Sequence, residues 1–419
     1  MLEIFPASAA IEDGELALGD VRASALAAEH GTPLVVYCEQ TIRAQARAYR
    51  EAAPDALLVY GTKAFPNVAI LRLLAEEGFG ADVASLGELE LAHRAGIPGE
   101  RIALHGNNKS DDELRAGAEL DALVVVDALD EVERAVAAGV RQALVRVTPG
   151  IEADTHEAIR TAQHGSKFGL PPDDAIAAVR ALREAGVDVQ GLHTHIGSQL
   201  VHLRAAAMTV EWLSLFALRC RAELDWEPAV VDLGGGLGVA HVEAEQPPSA
   251  AEFVTTIRDE CERWWTLQGL EPPHLVLEPG RSLVGAAGVT LYSVGSLKRA
   301  SEATTYVAVD GGMSDNPRPA LYGARYTALL ANRAAEEPAG HYAIAGKHCE
   351  SGDLLIERVS LPEPRRGDLL AVPATGGYTL AMASNYNAAL RPAAVLVSGG
   401  RARLIRRRET IDDLLALEV

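Results

Sequence analysis

The 419-residue sequence is 48% hydrophobic and 23% charged, with 38 Gly and 21 Pro, a composition that excludes disorder over most of the chain and favours two or three domains. Against 38 Lys and Arg stand 58 Asp and Glu, a formal charge of -20 that argues against nucleic acid or anionic lipid as a partner. No apolar run approaches the roughly 20 residues of a membrane span, and Met1 to Asp20 lacks the basic start and apolar stretch of a secretory signal. Cys38, Cys220, Cys261 and Cys349 form no C-x-x-C pair, so the expectation is a cytoplasmic protein with reduced thiols.

Residues 1–34 precede the main pattern and are expected to add a strand to a β domain. From Ala56 onward, short β-branched runs alternate with Ala/Leu/Glu/Arg segments of helical period, which is the signature of βα units on a parallel sheet. The predicted strands are Leu57–Tyr60, Gly80–Val83, Ile102–Leu104, Ala122–Val126, Ala143–Val147, Gln190–His193, Val230–Leu233 and Leu275–Glu278. Helices are predicted at Asn67–Glu77, Leu86–Ala95, Glu113–Ala118, Pro172–Ala185 and Ala250–Leu267. A (β/α)8 barrel is preferred to a doubly wound sheet because the count stops at eight and the composition then changes.

Beyond Gly285 the helical period largely disappears. Strands are predicted at Val289–Lys298, Thr304–Asp310, His341–Gly346, Asp353–Val359, Asp368–Val372 and Ala393–Val397, with a hairpin at Ser398 to Arg401 leading into Ala402–Arg406. Thr410 is expected to cap a short final helix, and Asn332 to Gly340 to form an exposed loop. The expected fold class is α/β plus all-β. A TIM-type (β/α)8 barrel occupies residues 35–285, and residues 1–34 and 286–419 form a β-sandwich or barrel-like domain.

In such barrels chemistry sits at the C-terminal ends of the strands, and the reactive residues here cluster at those positions. Tyr60-Gly61-Thr62-Lys63 ends the first strand, Asp82 the second, His105-Gly106-Asn107 the third and Arg146 the fifth. His193-Thr194-His195 ends the sixth, Gly234-Gly235-Gly236 the seventh and Glu278-Pro279-Gly280-Arg281 the eighth. Phosphate sites in barrels are commonly built by the loops after strands seven and eight, which here carry the triple glycine and Gly280-Arg281. A Rossmann fingerprint is excluded, since Val239 stands where its third glycine belongs. A lysine at a barrel mouth, a phosphate site and a carboxylate such as Glu278 together meet the needs of pyridoxal 5'-phosphate. His193-x-His195 is similar to the opening of metal-dependent barrel hydrolases, but later strands offer no third histidine, so no metal is expected.

These segments resemble those of the pyridoxal-phosphate-dependent, alanine-racemase-like barrel decarboxylases. The resemblance is carried in order by Tyr60-Gly61-Thr62-Lys63-Ala64, His105-Gly106-Asn107-Asn108-Lys109-Ser110, Ser166-Lys167-Phe168-Gly169 and His193 to Gln199. It continues through Gly234-Gly235-Gly236, Glu278-Pro279-Gly280-Arg281, Arg318-Pro319-Ala320-Leu321-Tyr322, Cys349-Glu350-Ser351-Gly352-Asp353 and Gly377-Tyr378. It implies that Lys63 holds the cofactor as a Schiff base, His195 stacks on its ring and Glu278 pairs with its pyridine nitrogen. Ser198, Gly235, Gly236, Gly280, Arg281 and Tyr378 would bind cofactor, with Asp82 beside it. Arg281, Arg318, Tyr322, Glu350 and Tyr378 would bind an amino-acid substrate. Cys349 would be the proton donor, delivered with Glu350 from the other subunit of a homodimer with shared active sites. Gly61, Thr148 and Lys347-His348 depart from the family pattern without removing a chemical group.

The resemblance implies decarboxylation of meso-2,6-diaminopimelate to L-lysine and carbon dioxide. Arg318 can grip a distal carboxylate bidentately while Glu350 pairs with the distal ammonium. A related decarboxylase acting on another carboxylated or basic amino acid is the alternative. A racemase fits less well because Glu278 favours full electron withdrawal, and a catalytically dead relative fits poorly because Lys63 and Cys349 are both present.

Overall fold

The computed structural model describes residues 2–149, 166–195, 197–302 and 304–419. The chain divides into two compact units, one of Gln45–Gly238 and Pro247–Ser282, the other of Met1–Ala44, Val239–Gln246 and Leu283–Val419. The chain opens with β1 (Ala9–Glu12), β2 (Glu15–Leu18) and β3 (Val21–Arg22), which pair antiparallel as a small sheet of their own. Helix α1 (Ala23–His30), strand β4 (Leu34–Cys38) and helix α2 (Glu39–Ala52) follow. The N-terminal segment was expected to lend a strand to the β domain. Its three short strands pair only with one another, while β4, which begins at Leu34, enters the large sheet. All five residues of Leu-Val-Val-Tyr-Cys are buried there, so β4 shows none of the alternation that would have separated it from a barrel strand.

Among the described residues, eight parallel strands close a barrel. They are β5 (Leu57–Gly61), β6 (Gly80–Val83), β7 (Ile102–Leu104), β8 (Leu123–Val126), β9 (Gln142–Arg146), β10 (Asp188–His193), β11 (Val230–Asp232) and β12 (His274–Leu277). Closure comes from β12 pairing with β5, Val276 opposite Leu57 and Leu277 opposite Leu58. The strands are short and largely apolar, with every residue of β6, β7 and β8 buried, as expected for a sheet covered on both faces.

Helices α3 (Val68–Glu76), α4 (Leu86–Ala95), α5 (Asp111–Glu119), α6 (Glu131–Ala137), α7 (Pro172–Glu184), α8 (Arg204–Leu224) and α9 (Ala250–Leu267) connect the strands. Asn67 and Ser85 cap α3 and α4. Ser110 with Glu113 and Ser249 with Glu252 form complete capping boxes on α5 and α9, each cap contributing about 1 kcal/mol. The five predicted helices are present, and α1, α2, α6 and α8 were not predicted. In α8 the buried stripe includes Ala206, Thr209, Ser214 and Ala217, small or polar residues that dilute the apolar period.

The second unit is built on β13 (Gly288–Arg299), whose first half lies between β4 and β18 (Leu369–Pro373) and whose second half pairs with β14 (Thr305–Val309). With β15 (Leu329–Leu330), β16 (Gly340–Ala345), β17 (Leu354–Leu361), β19 (Ala393–Ser398) and β20 (Arg401–Arg406), these form a nine-stranded sheet among the described residues. One buried cluster joins Leu16, Leu18, Leu34, Val36, Val289, Leu291, Val395 and Val397, each aliphatic side chain stabilising the fold by roughly 1.5 to 3 kcal/mol. Thr410 caps the last short helix, Ile411–Leu415. Among the described residues no helix is long and apolar enough to cross a membrane.

Candidate active site

The C-terminal ends of the barrel strands carry a continuous line of charged groups. Lys63 lies in a 3-10 turn directly after β5, and its Nζ is 2.8 Å from Oδ2 of Asp82 on β6. The other Asp82 oxygen is 3.8 Å from Nε2 of His105, which follows β7. That same Nε2 is 2.6 Å from Oε1 of Glu278, just past β12. His193, the last residue of β10, brings its Nε2 to 3.8 Å from Oε2 of Glu278 and sets its ring edge-on to His105 at 4.9 Å. Asp232 ends β11 directly opposite His193 in the ladder. Polar residues at or near the C-terminal ends of six strands thus converge on one network.

Burial is the dominant influence in this network. Alone it would raise the carboxyl of Glu278, but His105 and then His193 hold it well below the usual carboxylate range. Asp232 goes the other way, raised well above that range by burial and by the adjacent Glu278 charge. The two neighbouring carboxyls are therefore driven in opposite directions. His193 is lowered to about 4, chiefly by burial, and both of its ring nitrogens, like Thr194 Oγ1, are buried without a hydrogen-bond partner. The donor atoms of His105, His193, Asp232 and Glu278 lie within 4.8 Å of one another, so His105, and not His195, is the imidazole that shares a cluster with His193.

His195 stands over the glycine loop. Its Nδ1 accepts a hydrogen bond from Gly235 N–H at 3.3 Å, and burial together with Lys63 holds the imidazole well below its ordinary pKa, so the ring is neutral and flat. A Cβ on Gly235 would lie 2.2 Å from the Glu278 carbonyl oxygen. Gly236 has φ +105°, and a Cβ there would lie 2.5 Å from the Gly197 oxygen. Only glycine fits either position. Arg281, 7% exposed, directs Nη2 to Ser198 Oγ at 3.1 Å, placing a buried cation beside that loop. Gly280 packs against Gly61, the two β-strand ends approaching closely enough that a Cβ on Gly280 would be 3.0 Å from the Gly61 oxygen. In the Ser166-Lys167-Phe168-Gly169 segment, Gly169 N–H binds Asp127, which also pairs with Arg146 at 3.2 Å. Ile196 of the His193-to-Gln199 segment lies outside the described residues.

The remaining candidates belong to the β-rich unit. Arg318 opens a short helix, Arg318–Tyr322, and is buried, with Tyr322 partly exposed. Cys349 and Glu350 are exposed on the loop between β16 and β17. Asp353 joins these segments, its two oxygens accepting from Met313 N–H at 2.7 Å and His348 N–H at 2.9 Å. His348 is buried and bonds Ser314 Oγ through Nε2, so it anchors the Cys349 loop. Tyr378 is held in the left-handed region at φ +59°, a strain typical of functional positions in a non-glycine residue. The sequence reading did not single out Asp232, His241 or Tyr326, and it named His105 without its bond to Glu278.

A lysine amine beside a carboxylate, an ionised buried glutamate, a neutral histidine ring and a glycine cradle with a buried arginine supply every group that pyridoxal phosphate requires. Fold and site define a pyridoxal-dependent decarboxylase. The profile described as "Pyridoxal-dependent decarboxylase, pyridoxal binding domain" matches residues 39–285, and the chain belongs to this family, whose cofactor is pyridoxal 5'-phosphate. The chain is 44% identical to the diaminopimelate decarboxylase of Actinosynnema pretiosum subsp. auranticum, over 99% of this chain and 95% of that protein. Identity to the Bacillus subtilis diaminopimelate decarboxylase is 42%, over 97% and 96%. The crystal structure of the M. jannaschii diaminopimelate decarboxylase in complex with L-lysine superposes with a TM-score of 0.91 at 34% identity, covering 99% of this chain and 98% of that one.

Proposed function

We propose that this chain is a carboxy-lyase converting meso-2,6-diaminopimelate to L-lysine and carbon dioxide, the last step of lysine biosynthesis. The observation that carries this reading is the line from Lys63 through Asp82 and His105 to Glu278, an amine and a buried anion facing one barrel mouth. Pyridoxal phosphate, when bound, supplies an electron sink for the bond to the departing carboxylate. Lys63 carries the cofactor and Asp82 orients its amine. Glu278, ionised between two histidines, keeps the pyridine nitrogen protonated, and His195 supports the ring face. Ser198, Gly235, Gly236, Gly280, Arg281 and Tyr378 hold the phosphate.

Arg281, Arg318, Tyr322, Glu350 and Tyr378 bind the substrate, with Arg318 on the distal carboxylate and Glu350 near the distal ammonium. The enzyme acts as a cytoplasmic homodimer in which the partner subunit's Cys349 and the partner subunit's Glu350 complete each site. The thiol of Cys349 delivers a proton to the carbon that has lost carbon dioxide. Its exposure supports this role, whereas Cys38, Cys220 and Cys261 are buried and burial pushes Cys220 and Cys261 up to about 12. Incubation of the purified holoenzyme with meso-diaminopimelate should yield L-lysine and carbon dioxide in equal amounts. Equal turnover of lysine or ornithine would overturn the substrate assignment.

A further inference from the structure

Arg318 is 5% exposed, yet among the described residues no carboxylate lies within ion-pair distance of it. Its Nη1 meets two groups, Tyr326 Oη at 2.6 Å and His241 Nε2 at 2.7 Å, and its Nε is buried without a hydrogen-bond partner. A buried guanidinium with only neutral partners is costly, and an arriving anion relieves that cost. A guanidinium has donors and no acceptor, so Nε2 of His241 must present its lone pair and the ring hydrogen must sit on Nδ1. Nδ1 faces Glu245 Oε2 at 3.7 Å, and the same carboxylate oxygen accepts the His241 backbone N–H at 2.8 Å. The His241 ring stands edge-on to Tyr326, centroids 5.2 Å apart at 88°, so both acceptors of Nη1 are fixed in orientation. His241 and Glu245 lie in Val239–Gln246, the segment after the glycine loop that packs with the β-rich unit.

We propose that His241, anchored by Glu245, is a positioning residue that with Tyr326 fixes one edge of the Arg318 guanidinium and leaves its remaining N–H groups for the distal carboxylate of the substrate. This rests on the reading of Arg318 as the carboxylate-binding group. His241 determines specificity without touching substrate: it restricts the rotation of the arginine, so that the fork is set before the substrate arrives.

The test uses holoenzyme carrying His241→Gln, His241→Phe, Glu245→Gln or Arg318→Ala. Calorimetry measures binding of L-lysine, which keeps the distal carboxylate, and of cadaverine, which lacks it, alongside kcat and KM for meso-diaminopimelate. His241→Phe keeps the ring shape and loses the acceptor. It should weaken lysine binding and raise KM roughly tenfold to hundredfold, the range for a lost hydrogen bond to a charged group, while kcat and cadaverine binding change little. His241→Gln, which retains an acceptor oxygen, should restore most of the lysine affinity.

The reverse order, Phe near the parent and Gln impaired, would show that the ring only packs and would overturn the proposal. If Arg318→Ala abolishes lysine selectivity while both His241 variants match the parent, Arg318 keeps its role and His241 loses the one assigned here. If Arg318→Ala leaves lysine binding intact, the reading of Arg318 itself fails, and the proposal with it. Should His241→Phe not fold, Glu245→Gln decides: lysine affinity should fall severalfold, and an unchanged value overturns the anchor.

Discussion

Nε2 of His105 stands 2.6 Å from Oε1 of Glu278, a direct contact between the ends of two strands that are far apart in sequence and meet only because the barrel closes. With His193 near the other oxygen, this contact holds the Glu278 carboxyl well below the usual carboxylate range, while neighbouring Asp232 is raised well above it. Opposite shifts in adjacent buried carboxyls disfavour two negative charges side by side.

Glu278→Gln preserves shape and removes the charge. The variant should retain pyridoxal phosphate on gel filtration, because Lys63 and the glycine cradle are intact, but its kcat should fall at least about tenfold, equivalent to roughly 1.4 kcal/mol in the barrier. Cofactor content by absorbance and kcat by lysine release separate the two effects. A variant with full cofactor and near-parental kcat would remove Glu278 from the reaction.

Covalent attachment is expected at Lys63 rather than at Lys109 or Lys167. Lys109 is 2% exposed and pairs with Glu131 at 2.7 Å while donating to the carbonyls of Gly106 and Val125, so its ammonium is consumed in holding the barrel. The Lys63 side chain is 45% exposed at the mouth with Asp82 beside it. Borohydride reduction followed by peptide mapping should place the reduced cofactor on the peptide containing Lys63; a label on Lys109 would contradict the site.

Much of this architecture was readable because barrel strands buried on both faces give largely apolar runs with polar groups near their C-terminal ends; His193 and Glu278 directly follow the last apolar residue, whereas Asp82 precedes buried Val83 and Lys63 lies two residues past β5. The same rule made β4 ambiguous, since Leu34–Cys38 is equally apolar yet belongs to the other sheet. Pairings across the barrel, such as His105 with Glu278, join residues 173 positions apart and depend on closure geometry that no local pattern carries. His241 was invisible for another reason. It sits in a polar stretch with no period of its own, and its meaning appears only once Arg318 and Tyr326 are folded against it. Helix α6, seven residues long and opening on a buried glutamate that answers Lys109, is likewise set by a tertiary ion pair.

The β-rich unit carries a pH-sensitive group. Asp315 is buried, bonds Tyr292 Oη and the Gly312 N–H, and is raised to about 7, first by burial and also by Asp310 and Asp353. Its carboxyl thus holds a proton in the folded state at pH values where the unfolded chain, with its carboxyl near the ordinary aspartate value of 3.8, has lost it. The stability this group contributes is complete at low pH and declines as pH rises toward 7, by on the order of a few kcal/mol. Asp315→Asn does not titrate. Its melting temperature relative to the parent should therefore rise between pH 4 and pH 8, and parallel profiles would refute the assignment.

The last prediction concerns Cys349. The Cys349 thiol is exposed in the single chain, on a loop held by Asp353, His348 and the bond from Cys349 N–H to Asn387 Oδ1 at 3.0 Å. A thiol presented this firmly and left open suits a proton donor that serves a second copy of the chain. Cys349→Ala alone should lose roughly 10² to 10⁴ in kcat, the usual worth of a positioned acid. Lys63→Ala alone should be inactive for want of the cofactor attachment. When the two variants are mixed and allowed to exchange, half of the dimers are hybrids, and in each hybrid one site has both groups; activity should recover to roughly a quarter of the parental value. Mass spectrometry of the intact dimers reports the hybrid fraction independently. Hybrids formed in full without recovery would mean that Lys63 and Cys349 of one chain serve the same site, and the shared-site arrangement would fall.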